Sequence, residues 1–184
     1  MTTDDRKYIY LSDGGHFENL GLYEAVRRRC RLIVVSDAGC DPEFALADLG
    51  NAVRKIELDL GVVIRFDGLE DLKPRPAEAG EIGDGHPYHA VGSIDYPSTD
   101  GGGAQGMIIY VKAGYHGTES AGIRSYAATY RDFPHETTSD QWFSESQFES
   151  YRRLGFEIMD GVLAQALQAK GHPATVTLQS LFQG

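Results

Sequence analysis

Apolar residues along this chain alternate between two spacings. Tyr8 to Leu11, Leu32 to Val35 and Val62 to Ile64 are continuous short runs, the length and composition of buried strands. Between them the apolar positions fall three and four residues apart, first at Leu22, Val26 and Cys30, then at Ala45, Leu49, Ala52, Val53, Ile56 and Leu60. That is the spacing of helices with one buried face. Asn19 is placed to cap the first helix. Asp41-Pro42 reads as the start of the second, and Gly61 as its end. The order βαβαβ predicts neighbouring parallel strands joined by right-handed crossovers.

Further on, Asp67 to Pro87 is rich in Gly, Pro and acidic residues and reads as a long surface excursion. His89 to Tyr96 and Met107 to Lys112 read as an antiparallel hairpin about a turn containing Gly101, Gly102 and Gly103. A helix is expected around Ser120 to Tyr130. A long final helix should begin at a capping box of Ser144 and Gln147, with Phe148, Tyr151, Ile158, Val162 and Ala166 as its buried stripe. The predicted fold class is α/β: a single domain with a mainly parallel sheet, an antiparallel hairpin extension and helices on both faces.

Composition narrows the function. The 184 residues suffice for one core, and 41% hydrophobic with 24% charged residues is ordinary for a globular domain. A net charge of −10 argues against nucleic acid and gives no general attraction to anionic lipid. The dense basic cluster, Arg27 to Arg29 with Arg31, reads as a solvated last helical turn. Cys30 and Cys40 are too few for a disulfide framework. The polar amino terminus is no signal peptide, and no run reaches the ~20 apolar residues of a membrane helix. A cytoplasmic segment is expected, with membrane association left to a longer parent.

Candidate chemistry gathers at Ser12-Asp13-Gly14-Gly15-His16. Asp13 falls where the first strand should end, at the sheet edge where reactive groups collect. The two glycines leave room for another backbone or a substrate to approach. A turn in which the Asp13 carboxylate caps backbone N–H groups is the alternative. Asn19 reads as a brace for this loop. His16 is a neighbour able to complete a triad. Asp37, in Ser36-Asp37-Ala38-Gly39, should share the sheet edge with Asp13 and cap the next turn. His86, His89, His116 and His135 lack the spacing of a zinc site, so no metal and no cofactor is expected.

Asp13-Gly14-Gly15 with Asn19 resembles the aspartate motif of patatin-like phospholipases. The likeness continues in Arg28 to Gly39, Phe133 to Phe143 and Gln147 to Gly155, which look like the carboxyl-terminal part of bacterial members. It spans most of the chain but only the later part of that family's catalytic domain. The resemblance implies an α/β/α fold, a lipid acyl hydrolase activity and a Ser–Asp dyad, with Asp13 as the base. It assigns no chemistry to Phe133 to Phe143, for which packing of the last helix is the default. The family's G-x-S-x-G nucleophile elbow is missing. Gly117 to Gly122 is the nearest segment, with one residue too many before Ser120. The expectation is therefore a carboxyl-terminal portion that supplies Asp13 and is inactive alone. Its partners would be the upstream half of the domain and an acyl-ester substrate. Self-association through uncovered surface is expected as well, and a noncatalytic partner-binding module is the rival reading.

Overall fold

Four strands form one sheet in the order β1-β4-β3-β2, where β1 is Leu32–Asp37, β2 Val63–Asp67, β3 His89–Asp95 and β4 Gln105–Lys112. The computed structural model describes residues 7–8, 12–75, 86–97, 103, 105–171, 173 and 175–182. Ile9 to Leu11 and the turn at Gly101 and Gly102 lie outside them, as do residues 76–85 of the 67–87 excursion. Strand β1 pairs with β4 in parallel, and β3 runs antiparallel to both β4 and β2. Strands β1, β2 and β4 therefore point the same way and β3 alone opposes them. The class is α/β, as the spacing predicts.

The hairpin is not an extension at the sheet's margin, however. It is inserted between β1 and β2, which the βαβ order places side by side. The reason is burial. Strand β4 carries Ile108 to Val111, buried on both faces, and so belongs in the centre. Strand β2 exposes Arg65 and Asp67 and suits an edge. Gly92 permits the tight β2–β3 pairing, because a Cβ there would collide with the Arg65 carbonyl and the Ile108 side chain.

Helices cover both faces. On one, Leu22 and Val26 of α1 (Leu22–Arg27) and Leu49, Ala52 and Ile56 of α2 (Ala47–Leu60) pack against Ile33, Val35, Ile64, Ile94 and Ile108. On the other, α3 (Ala121–Thr129) and α4 (Glu145–Ala169) bury Ile123, Leu154, Ile158 and Val162 against Ile109 and Val111. A short α5, Leu178–Phe182, adds Leu181 and was not anticipated.

Several local expectations change. The cap on α1 comes from Glu18, whose carboxylate accepts the Leu20 N–H at 2.5 Å and the Tyr23 N–H at 3.3 Å, rather than from Asn19. Helix α2 begins at Ala47 and not at Asp41-Pro42. The Asp41 carboxylate instead accepts from Ala45 and Leu46 N–H, closing a turn whose left-handed Phe44 and Leu46 redirect the chain before it can coil. Ala45 is consequently exposed. Phe148 is 61% exposed and leaves the predicted stripe, while Tyr151 is half-buried and Ile158, Val162 and Ala166 are buried. Ser144 does cap α4, accepting from Gln147 N at 3.1 Å. The Gln147 side chain completes no box, turning instead to Glu136 and Asp140. Leu72 is buried and Arg75 reaches the carbonyls of Ala127, Tyr130, Arg131 and Phe133, so the start of the excursion is fastened down.

Candidate functional site

Asp13, Gly14, Gly15 and His16 all lie exposed in a tight turn. The Gly15 N–H donates to Asp13 Oδ1 at 3.0 Å, the local bond expected of an aspartate opening a turn. Among the described residues this is the one hydrogen bond to the Asp13 carboxylate. His16 points back to the Asp13 carbonyl, with Nδ1 3.2 Å away, and does not touch its carboxylate. It therefore completes no triad with Asp13. Asn19 does brace the loop: its Nδ2 donates to Asp48 Oδ2, on the first turn of α2, at 3.1 Å.

Asp48 leads into the second part of the site. It lines a cavity of about 100 Å³ at the carboxyl ends of β1 and β4, together with Asp37, Gly39, Cys40, Asp41 and Lys112. Register places Asp37 beside Lys112. Lys112 Nζ lies 3.2 Å from Asp37 Oδ1 and 3.6 Å from Asp41 Oδ2, with both Lys112 and Asp37 side chains essentially removed from water. The second Asp37 oxygen accepts from the Tyr110 hydroxyl at 2.5 Å. Burial, reinforced by the Asp37 bond, pushes the Tyr110 phenol far above its ordinary pKa, so it remains a donor. Asp37 also accepts the Gly39 N–H at 2.8 Å, so it caps the following turn as expected.

The Phe133 to Phe143 segment, for which the sequence offered only packing, closes this cluster from behind. His135 Nδ1 receives the Asp41 N–H at 3.2 Å and lies 3.3 Å from the Gly39 carbonyl. Cys40 Sγ donates to the His135 carbonyl at 2.9 Å. Burial holds the imidazole pKa below its ordinary value; the Gly39 carbonyl opposes this and Lys112 assists it. A neutral ring accepting at Nδ1 carries its proton on Nε2, which is buried without a partner among the described residues. The loop 39–41 is thus gripped from both sides.

Sequence reasoning missed Lys112, Tyr110 and Asp48, read Asp41 only as a helix start and set His135 aside as a metal candidate. A lysine ending an apolar strand was the available signal, but its partner comes from another strand. Among the described residues, the candidate serines Ser12, Ser36, Ser93 and Ser120 show no activated nucleophile. Ser12, Ser36 and Ser93 have no hydrogen bond to a base among the described residues. Ser120 contacts the Glu157 carboxylate, which is already paired with Arg153. Among the described residues no group of three or more His, Cys, Asp or Glu side chains is arranged to hold a metal, and no helix is long and apolar enough to cross a membrane. What the arrangement offers chemically is an exposed carboxylate on a braced turn beside a cluster in which one buried lysine faces Asp37 and Asp41. Comparison with protein-family models, with curated proteins and with solved structures finds no match to this chain.

Proposed function

We propose that this chain is the carboxyl-terminal portion of a patatin-like lipid acyl hydrolase, in which Asp13 is the general base for a serine supplied by upstream sequence. The observation that carries the reading is the Asp13 carboxylate itself, exposed and held, among the described residues, by the Gly15 N–H alone. In that role Asp13 takes the serine proton as the oxygen attacks the ester carbonyl. The proton passes to the departing alcohol, leaving an acyl-serine. Water, deprotonated by the same carboxylate, then attacks the acyl-serine, and the proton returns to the serine oxygen as the fatty acid leaves. A carboxylate is a weak base for a hydroxyl, so the geometry of contact must do much of the work. The oxyanion donors also come from upstream.

The uncovered side of β1 supports a missing partner. Among the described strands β1 is an edge, and its Val34 and Ser36 face is exposed, with Val34 at 45%. Upstream sequence packed there would bring the serine to the sheet's carboxyl edge. The Asp13–Gly15 bond favours the rival reading, a noncatalytic module with a retained turn.

The test joins this chain to upstream sequence carrying a G-x-S-x-G elbow and compares Asp13 with Asp13→Asn. The expected result is ester hydrolysis that falls ~10²–10⁴-fold per folded molecule, with the melting temperature nearly unchanged. Activity within about threefold of wild type, short of the general-base range, would assign Asp13 to the turn alone. The chain by itself should hydrolyse no chromogenic ester.

A further inference from the structure

We propose that Asn19 and Asp48 form a positioning pair that fixes the direction of the Asp13 carboxylate, an inference that rests on Asp13 acting as the base. The Asp13 turn has no buried residue to hold it. Its internal bonds, Gly15 N–H to Asp13 Oδ1 and His16 N–H to the Asp13 carbonyl, lie among exposed residues and give it no anchor in the core. Its orientation must come from outside.

One carboxamide supplies it. The Asn19 side chain lies over Gly15, so that a Cβ on Gly15 would fall 2.6 Å from Asn19 Oδ1. The other end of the same carboxamide donates to Asp48 Oδ2 at 3.1 Å. Asp48 belongs to a helix anchored in the core by Leu49, Ala52 and Ile56, all at most 2% exposed. Asp48 Oδ2 would also sit 3.5 Å from a Cβ on Gly39, beside the Asp37–Lys112 pair. Rigid core, α2, Asp48, Asn19 and Gly15 are therefore in series. The last member carries the N–H that holds Asp13. Lys55 adds a tie to this loop, but to the Phe17 carbonyl, beyond the turn.

The experiment follows the Gly15 amide in this chain by nitrogen-15 NMR during a titration of the Asp13 carboxyl group. In wild type the Gly15 amide shift should track that titration. In Asn19→Ala and in Asn19→Asp, which sets two carboxylates together, the tracking should collapse while the melting temperature barely moves. Asp48→Ala should give the same loss, and adding Asn19→Ala to it should lose nothing more. The exchange Asn19→Asp with Asp48→Asn reverses donor and acceptor and should restore the signal. In the longer serine-bearing protein, Asn19→Ala should lower kcat about tenfold or more with KM little changed, as misplacement of a catalytic group does. An unaltered Gly15 titration in Asn19→Ala, or no rescue by the exchange, overturns the pair. An active Asp13→Asn protein, with the Gly15 response intact in the chain that retains Asp13, instead overturns the base assignment, so the two failures are distinct.

Discussion

Lys112, the last residue of β4, places its ammonium 3.2 Å from the carboxylate of Asp37, the last residue of β1, where neither side chain retains more than 2% of its exposure. The pair joins two parallel strands at the edge that carries the candidate site. An ion pair so buried is costly to break, because either charge left alone has no water to receive it.

Lys112→Met should therefore destabilise the fold by about 3–5 kcal/mol, measured by urea unfolding. Tyr110→Phe, which removes a donor to the same carboxylate, should cost about 1.5–3 kcal/mol. Combining Lys112→Met with Asp37→Asn should cost less than the sum of the two changes, since both charges leave together. Additive losses would mean that the two charges do not depend on each other.

The two glycines of the turn should behave differently. A Cβ on Gly14 meets nothing within 4 Å, and Gly14→Ala should leave the chain as stable as wild type or raise it by up to about 1 kcal/mol. Gly15→Ala drives a methyl into the tip of the Asn19 side chain and should displace it from Asp48, losing the pH response of the residue-15 amide while the melting temperature moves little. In the serine-bearing protein Gly14→Ala should still reduce activity, because its open face is where a nucleophile would approach. A residue-15 amide that still tracks Asp13 in Gly15→Ala would contradict the close contact at Gly15.

Stability should fall as the pH is lowered from 7 toward 5. Burial lowers the pKa of His89, His116 and His135, the last also under the influence of Lys112. Below the ordinary histidine pKa of ~6.5 the unfolded chain binds protons that the native chain refuses, so unfolding gains. The loss begins near that value and continues down to the lowered native values. Carboxylates held low by partners, such as Glu24 at about 2 beside Arg27 and Arg28, contribute only at lower pH. Melting temperatures across this range check the slope, which His135→Gln should flatten. A flat profile in wild type would contradict neutral buried imidazoles.

The chain alone should self-associate at micromolar concentration. Among the described strands β1 is an edge, exposes Val34 at 45% and has no lysine or proline along its length to discourage pairing. Sedimentation should show concentration-dependent mass, reduced by Val34→Lys. A clean monomer at all concentrations would count against an uncovered edge.

The sequence by itself determined the elements whose cause is local. Helical spacing placed Leu49, Ala52 and Ile56 on one face of α2, Gly61 ended it in a left-handed cap, and Ser144 opened α4. Asp13 followed by two glycines announced a turn, and it is one. Only the tertiary structure decided what joins distant segments. Strand order went against the βαβ expectation because β4 is apolar on both faces and takes the central place. Tyr110 meets Asp37 across 73 residues, and Asn19 meets Asp48 across 29. No periodicity encodes such partners. They are chosen when strand register and helix packing bring two polar groups to one place, which for Tyr110 and Asp37 lies away from water, where each must satisfy the other.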